Sequence, residues 1–132
     1  MRFVDANVFI FLLTGRPRAS FEVSRKIMQR ILDGEEAITS TAVLQEVVDW
    51  LEYNDRRDQV KTFLTAVNSY PSLRKESASW SDMISALDRM ESHKIDYVDA
   101  LSVQIMQRSG VSEIYSNDKD FDRVETVSRI WE

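Results

Sequence analysis

Short apolar runs alternate along the chain with longer segments in which apolar residues recur every three or four positions. A short apolar run bounded by polar residues is typical of a buried strand, and the three-to-four spacing is typical of a helix with one buried face. The predicted strands are 2–4, 37–39, a brief edge strand near Leu73, 114–115 and 126–130. The predicted helices are 9–14, 20–33, 41–53, 60–67, 80–90 and 96–110.

Polar residues mark where several of these helices begin. A side-chain oxygen at the N-cap accepts a hydrogen bond from a free backbone N–H of the first turn. The predicted N-caps are Ser20, Thr41 and Asp96.

Strands and helices alternate through the whole chain, which predicts an α/β fold with a parallel sheet of about four or five short strands and helices on both faces. No internal repeat, low-complexity segment or linker interrupts the pattern. Residues 1–132 are therefore predicted to form a single domain. In such sheets, ligands bind at the carboxyl ends of the strands.

Four acidic residues from distant parts of the chain are predicted to meet at that edge. Asp5 follows the first strand, and Asp118 follows the strand at 114–115. Glu46 lies in the first two turns of the helix after the second strand, and Asp99 lies in the first turn of the last helix. Carboxylates that lie close together repel each other, so either their pKa values are raised or they bind cations. Among cations, Mg²⁺ prefers oxygen ligands. The chemistry open to such a site is metal-assisted attack of water on a phosphodiester.

Each acid also has an ordinary structural interpretation. Asp5 alone fits a turn residue that accepts hydrogen bonds, and Glu46 alone fits an exposed helix residue. Asp96 and Asp99 are spaced as a helix cap and its third residue. A solvated turn accounts equally for Asp118, Asp120 and Asp122. The joint placement of these acids, rather than any one of them, favours a site.

Composition narrows the chemistry further. The 132 residues are 43% hydrophobic and 30% charged, as in a globular protein with a substantial core. There is no cysteine and only one histidine, which excludes disulfides and thiolate metal sites and argues against zinc. No apolar run approaches the roughly 20 residues that span a bilayer, and no signal-peptide pattern opens the chain. We expect a cytoplasmic protein with no membrane contact.

Four motifs, in order, resemble the PIN domain family: VDANVFI, STAVLQEVV, DALSVQIMQRSG and IYSNDKDF. The resemblance extends over nearly the whole chain, whose length is similar to that of the stand-alone VapC-type toxins of VapBC toxin–antitoxin pairs. It implies a three-layer α/β/α fold and a ribonuclease that depends on Mg²⁺ or Mn²⁺, with one or two ions. It also implies a small antitoxin partner and a homodimer.

The family's four acids correspond to residues of this sequence one by one. The first is Asp5 in DAN, the second is Glu46 in LQEVV, the third is Asp99 in DAL and the fourth is Asp118 in SND. All four are expected to hold metal and to be catalytic. Four further residues are expected to lie just outside the metal ligands and to orient the ligands or their waters: Asn7, Ser116, Asp96 and Asp120.

The net charge of -5 at first opposes nucleic-acid binding. The four acids account for -4 of this charge, which leaves -1 for the rest of the chain, and bound divalent metal would neutralise the site. Basic residues near the acids are candidate contacts for RNA phosphates or, equally, ordinary solvated charges. They are Arg16, Arg18, Lys119 and Arg123.

Two groups of large apolar residues have competing interpretations. The series Trp80, Met83, Ile84, Leu87 and Met90 is predicted to be core. Alternatively, part of it forms a homodimer face together with the apolar side of the helix at 60–67. Trp50 and Tyr53 are predicted to pack against the core, with RNA stacking or antitoxin docking as alternatives.

Other classes of protein fit less well. A PIN fold that no longer cleaves RNA and serves as an RNA-binding subunit or scaffold is the main alternative, although all four acids are present. A phosphotransfer receiver needs paired acids after its first strand, but Ala6-Asn7 follows Asp5 here. A haloacid-dehalogenase-type phosphatase needs a second aspartate at position 7.

Overall fold

Five parallel strands form one central sheet in the computed structural model, which describes residues 1–132. The strands are β1 (Arg2–Val4), β2 (Ala37–Ser40), β3 (Leu73–Glu76), β4 (Glu113–Tyr115) and β5 (Ser128–Ile130), in the spatial order β3-β2-β1-β4-β5. Phe3 of the central strand lies opposite Ile38 on one side and Ile114 on the other. The strand order reverses at β1, so the carboxyl ends of β1 and β4 meet at the point where ligands bind in such folds.

Six α-helices complete a three-layer α/β/α fold, which confirms the predicted fold class. They are α1 (Ala6–Thr14), α2 (Arg18–Leu32), α3 (Thr41–Tyr53), α4 (Val60–Asn68), α5 (Trp80–His93) and α6 (Tyr97–Arg108). Two short 3₁₀ helices span Arg57–Gln59 and Lys119–Arg123. None of the helices has the length and apolar character that crossing a lipid bilayer requires.

Two predicted helix caps were wrong, and the third has the predicted position without the expected hydrogen bond. Helix α2 begins at Arg18 directly after Pro17, so Ser20 lies inside its first turn. The cap of α3 is Ser40, whose Oγ accepts a hydrogen bond from the N–H of Val43, and Thr41 is the first helical residue. Asp96 occupies the cap position of α6 with extended backbone, but its side chain makes no capping hydrogen bond. The carboxylate of Asp96 is therefore not used in capping.

One cluster of 30 buried apolar residues forms the core around the sheet. All four residues of β2 are buried, as are Phe3 and Val4 of β1. A parallel strand covered on both faces is expected to be apolar along its whole length rather than alternating. This burial fixes the positions of the carboxyl ends of β1 and β2, and the candidate site lies at this edge of the sheet.

The apolar series on α5 was predicted to be core, and most of it is not. Trp80, Ile84 and Leu87 are 72%, 49% and 51% exposed, and only Met90 packs against the core. The opposite side of α5 is buried instead, through Asp82 and Ala86. Burial of Asp82 is stabilised by an ion pair in which Arg108 Nε lies 2.9 Å from Asp82 Oδ1.

The structure also tests the predicted packing of Trp50 and Tyr53 and the predicted apolar face of α4. Tyr53 is 91% exposed, so its predicted packing was wrong, whereas Trp50 is half-buried and packs against the core. On α4 the apolar residues Phe63 and Val67 face the core. Leu64 of the same helix is 43% exposed, so the homodimer face on α4 stays a prediction.

Candidate functional site

Asp5 is the most deeply buried acid of the predicted site. It directly follows β1 and is the N-cap of α1, with Oδ1 accepting a hydrogen bond from the N–H of Ala6 at 2.8 Å. Its own N–H donates to the carbonyl of Tyr115, which ties it to the end of β4. The residue is only 4% exposed. Capping also explains why α1 begins at Ala6, three residues before the predicted start.

Two neutral polar side chains hold the other oxygen of Asp5. Ser116 Oγ donates to Asp5 Oδ2 at 2.6 Å, and Asn7 Nδ2 lies 3.3 Å from the same oxygen. Ser116 Oγ also accepts the N–H of Asp118 at 3.0 Å, while Asn7 Oδ1 accepts the N–H of Asn117. The network therefore sets the positions of Asp5 and Asp118 relative to each other.

Asp99, Asp118 and Asp120 bring one carboxylate oxygen each to within 4.8 Å of one another. Asp118 caps the 3₁₀ helix that follows β4, and its Oδ1 accepts the N–H of Asp120 at 2.9 Å. Asp120 was predicted to support the site from behind, whereas the structure places it beside two of the four principal acids. The sequence DKD at 118–120 indicates that two aspartates lie close together, but only the geometry of the turn shows that Asp120 lies beside Asp99.

Glu46 and Asp96 complete the acidic wall. A cleft of about 310 Å³ is lined by Glu46, Asp96, Asp99 and Asp118, together with the backbone and side chains of Tyr97 and Val98. Glu46 is half-buried on the second turn of α3, and Asp96 is exposed at the start of α6. Three of the four acids predicted to hold metal therefore line this cleft, and the fourth, Asp5, lies buried behind it and is connected to Asp118 through Ser116.

Burial and mutual repulsion raise the pKa values of three of these acids. Burial raises the pKa of Asp5 to about 6, opposed in part by the hydrogen bonds from Ser116 and Ala6. The pKa of Glu46 is raised to about 7 and that of Asp99 to about 8, in both cases first by burial and then by the charges of Asp5 and Asp118. Such shifts mark a site whose negative charge is not compensated by the protein.

No lysine or arginine forms an ion pair with Asp5, Glu46, Asp99 or Asp118; Arg123, 3.4 Å from Asp120, is the one cation bound to the cluster. The donor set fits a hard divalent cation, which takes carboxylate oxygens and water. Oxygens around one Mg²⁺ lie at most about 4.2 Å apart, twice the metal–oxygen distance. The spacing within the Asp99–Asp118–Asp120 group needs only a small side-chain adjustment to reach this value.

The four basic residues predicted to contact RNA differ in their surroundings. Arg16 and Lys119 are exposed and form no ion pair, so their charges are free. Arg18 pairs with Glu22 at 3.5 Å. Arg123 pairs with Asp120 and donates to the carbonyl of Lys94. The structure therefore leaves Arg16 and Lys119 as the better placed of the four candidates.

These features define an α/β protein with an acid-lined cleft at the carboxyl edge of a parallel sheet. The chain belongs to the PIN domain family, whose sequence model matches residues 2–127. The recognition of this family from four short motifs is therefore confirmed. No curated protein matches the chain in sequence.

Solved structures with the same fold share little sequence with this chain. VapC20 of Mycobacterium tuberculosis, described as a toxin that cleaves the sarcin-ricin loop, superimposes with a TM-score of 0.80 at 20% identity over 95% of both chains. VapBC2 of Rickettsia felis, bound to a DNA fragment from its promoter, gives 0.74 at 14% identity, covering 99% of this chain and 98% of that one. A toxin–antitoxin complex from Klebsiella pneumoniae gives 0.70 at 14%, covering 97% and 96%.

Proposed function

We propose that this protein is a metal-dependent endoribonuclease and the toxin of a toxin–antitoxin pair. The observation that carries the proposal is the cluster of four carboxylates at one sheet edge, three of them with raised pKa values and none of them paired with a basic side chain. Membership of the PIN domain family and the fold shared with toxins such as VapC20 support the same reading.

Asp5, Asp99 and Asp118 would hold one or two Mg²⁺ or Mn²⁺ ions, with Glu46 completing or orienting the set. A bound divalent cation supplies Lewis-acid stabilisation of phosphoryl charge and lowers the pKa of the attacking water. Ser116 and Asn7 fix the direction of the Asp5 carboxylate through Oδ2. Hydrolysis then forms a bond between water oxygen and phosphorus, breaks the bond to the leaving ribose oxygen, and needs no covalent protein intermediate.

Asp96 and Asp120 are proposed to act at the margin of the site. Asp96 lines the cleft and raises the pKa values of Glu46 and Asp99 through its charge, and Asp120 lies against Asp99 and Asp118. We propose that each of these two residues would bind water coordinated to the metal. Arg16 and Lys119 are proposed to contact RNA phosphates, and Arg18 and Arg123 to contribute once their carboxylate partners release them.

An antitoxin is the proposed protein partner, because one of the similar structures is described as a toxin–antitoxin complex and another as VapBC2. An apolar groove between α1, α2 and α4 is the proposed docking surface. It is lined by Phe9, Leu12, Leu13, Met28, Phe63 and Tyr70. Because α1 begins at Ala6, directly after Asp5, a segment bound along α1 towards its N-terminus would approach the acidic cleft.

We further propose that residues 1–132 act as one domain in the cytoplasm, as a homodimer. The exposed stripe on α5, formed by Trp80, Ile84 and Leu87 with Met83 beside it, is the proposed contact between the two copies. Exposed apolar patches of this kind are typical of surfaces that bind protein.

RNA cleavage by the purified protein tests the nuclease directly. Wild type is compared with Asp99→Asn in EDTA, Mg²⁺ and Mn²⁺, and with Asp88→Asn, a matched removal of one exposed carboxylate outside the site. We expect metal-dependent cleavage in wild type and Asp88→Asn, and a loss of at least about 100-fold in Asp99→Asn, because a directly coordinating group is removed. Equal cleavage by Asp99→Asn would contradict the assignment of Asp99 to the catalytic site. No cleavage and no metal binding by wild type would favour the alternative of a catalytically silent RNA-binding or scaffold protein.

A further inference from the structure

A second concave surface lies between the C-terminal halves of α1 and α3, farther along these helices than the acidic cleft. Its volume is about 480 Å³, and the lining residues that matter here are Phe11, Thr14, Arg16, Trp50, Asn54 and Arg56. No acidic residue lines it. The chain as a whole has a net charge of -5, but this groove has two arginines and no carboxylate, so its local charge is positive.

The two arginines of this groove lack acidic partners, in contrast to most of the others. Seven arginines of the chain form ion pairs with aspartate or glutamate. Arg16 and Arg56 form none, and neither guanidinium donates a hydrogen bond to a protein acceptor. Free guanidinium groups are suited to bind phosphate through two parallel N–H donors.

The groove continues directly from the proposed catalytic site along both helices. On α3, Glu46, Trp50 and Asn54 follow one another at intervals of four residues, and on α1 Asn7 and Phe11 have the same spacing. Residues four apart on a helix lie on one face with a rise of about 6 Å. The groove therefore begins one helical turn beyond Glu46 and Asn7.

Trp50 supplies an aromatic surface inside this basic groove. The carbon at the centre of the Arg56 guanidinium lies 5.8 Å from the centroid of the Trp50 ring system. The guanidinium thus lies over the ring, and the indole becomes a stacking surface for an unpaired base only when the Arg56 side chain turns aside, where its cation can meet the adjoining phosphate. An acidic peptide would use the two arginines and leave the indole without a role, so nucleic acid fits the groove better.

We propose that this groove binds a nucleotide of single-stranded RNA adjoining the cleaved phosphodiester, with the base against Trp50 and the phosphate between Arg16 and Arg56. The proposal rests on the ribonuclease function proposed above and adds a positioning site outside the acidic cluster. Because a base must leave its helical stack to reach Trp50, the groove selects unpaired RNA.

Binding is measured by fluorescence anisotropy with a short single-stranded RNA in EDTA, so that cleavage does not contribute. We expect Arg56→Gln and Arg16→Gln each to weaken binding by about 3- to 10-fold, and Trp50→Leu by about 10-fold, within the range for base stacking. The matched control is Arg57→Gln, which removes the same charge from the exposed neighbouring residue outside the groove and should leave the affinity within 2-fold.

Several outcomes would overturn the groove assignment. Equal weakening by Arg57→Gln and Arg56→Gln would show that only overall charge matters, and equal affinity for duplex RNA of the same length would exclude a stacked base. Trp50 is half-buried, so thermal unfolding of Trp50→Leu is checked, and the arginine variants test the groove independently of it. Because the assay needs no cleavage, loss of binding in the groove variants supports RNA binding at the groove separately from the nuclease assay, whereas a failed nuclease assay would contradict only its place beside a cleaved phosphodiester.

Discussion

At the scale of single residues, Ser116 is the clearest case of a side chain that acts through another. Its hydroxyl donates to Asp5 at 2.6 Å and accepts the N–H of Asp118, so one oxygen connects the ends of β1 and β4. The hydrogen bond lowers the pKa of Asp5 against the larger effect of burial. Without it, Asp5 would be harder to ionise and less firmly directed.

We expect Ser116→Ala to weaken Mn²⁺ or Mg²⁺ binding by about 10- to 100-fold, the usual effect of removing a group that orients a ligand. Isothermal titration calorimetry measures this change. Ser116→Thr keeps the hydroxyl and should restore most of the affinity, provided that the added methyl group is accommodated. Unchanged affinity in Ser116→Ala would show that Asp5 does not need this hydrogen bond.

The residue scale also shows how far sequence reasoning reaches. Asp5 and Asp118 were placed correctly because each directly follows a strand, and the strand ends of a parallel sheet share one edge. The contact of Asp120 with Asp99 was missed because it depends on a capped 3₁₀ turn. Arg56 and its proximity to Trp50 were missed because Arg56 follows a turn at Asp55 with a positive φ of 59°, which no periodicity specifies.

At the scale of elements, α5 shows why an apolar period does not tell which side of a helix is buried. Trp80, Ile84 and Leu87 form a regular stripe, yet the buried side of α5 contains Asp82 and Ala86. Asp82 can be buried because Arg108 on α6 forms an ion pair with it. The hydrogen bond from Arg108 also holds the pKa of Asp82 well below its usual range. A stripe of large apolar residues left in solvent then needs a partner.

We expect the wild-type protein in solution to have twice the mass of the 15.4 kDa chain, and Ile84→Asp to reduce it to one chain. A charge introduced into a buried apolar contact costs several kcal/mol without a counterion. Light scattering after size exclusion measures the mass. The control is Leu32→Asp at the exposed end of α2, which should remain dimeric. A monomeric wild type, or a dimeric Ile84→Asp, would remove α5 from the interface.

At the scale of the whole molecule, the site acids affect the stability of the entire fold. Asp5, Glu46 and Asp99 have pKa values raised to about 6, 7 and 8, so the folded metal-free protein binds more protons than the unfolded chain between about pH 4 and 8. Stability therefore falls as pH rises through this interval. The formal charge of -5 also overstates the negative charge of the metal-free protein near pH 7.

We expect the metal-free protein to melt at a lower temperature at pH 8 than at pH 5, and added Mg²⁺ to recover part of the difference by binding the folded state. Asp99→Asn removes one of the repelling charges and should stabilise the metal-free protein at pH 8 by on the order of 1 kcal/mol, roughly 3 to 5 °C in Tm. Scanning calorimetry in EDTA tests both statements. A Tm that rises with pH over this range, or that falls in Asp99→Asn, would contradict them.

The hydrogen bonds of Asp5 have an entropic consequence for metal binding. Both of its oxygens are already held by the chain, so the conformational entropy of this side chain is lost when the protein folds. Glu46 and Asp99 accept no hydrogen bond from the protein, so we expect their side chains to lose conformational entropy when a cation binds. In the proposed metal site, Asp5 would therefore be a preorganised ligand and Glu46 and Asp99 would adjust to the ion, and we expect a longer side chain at position 5 to lose this preorganisation.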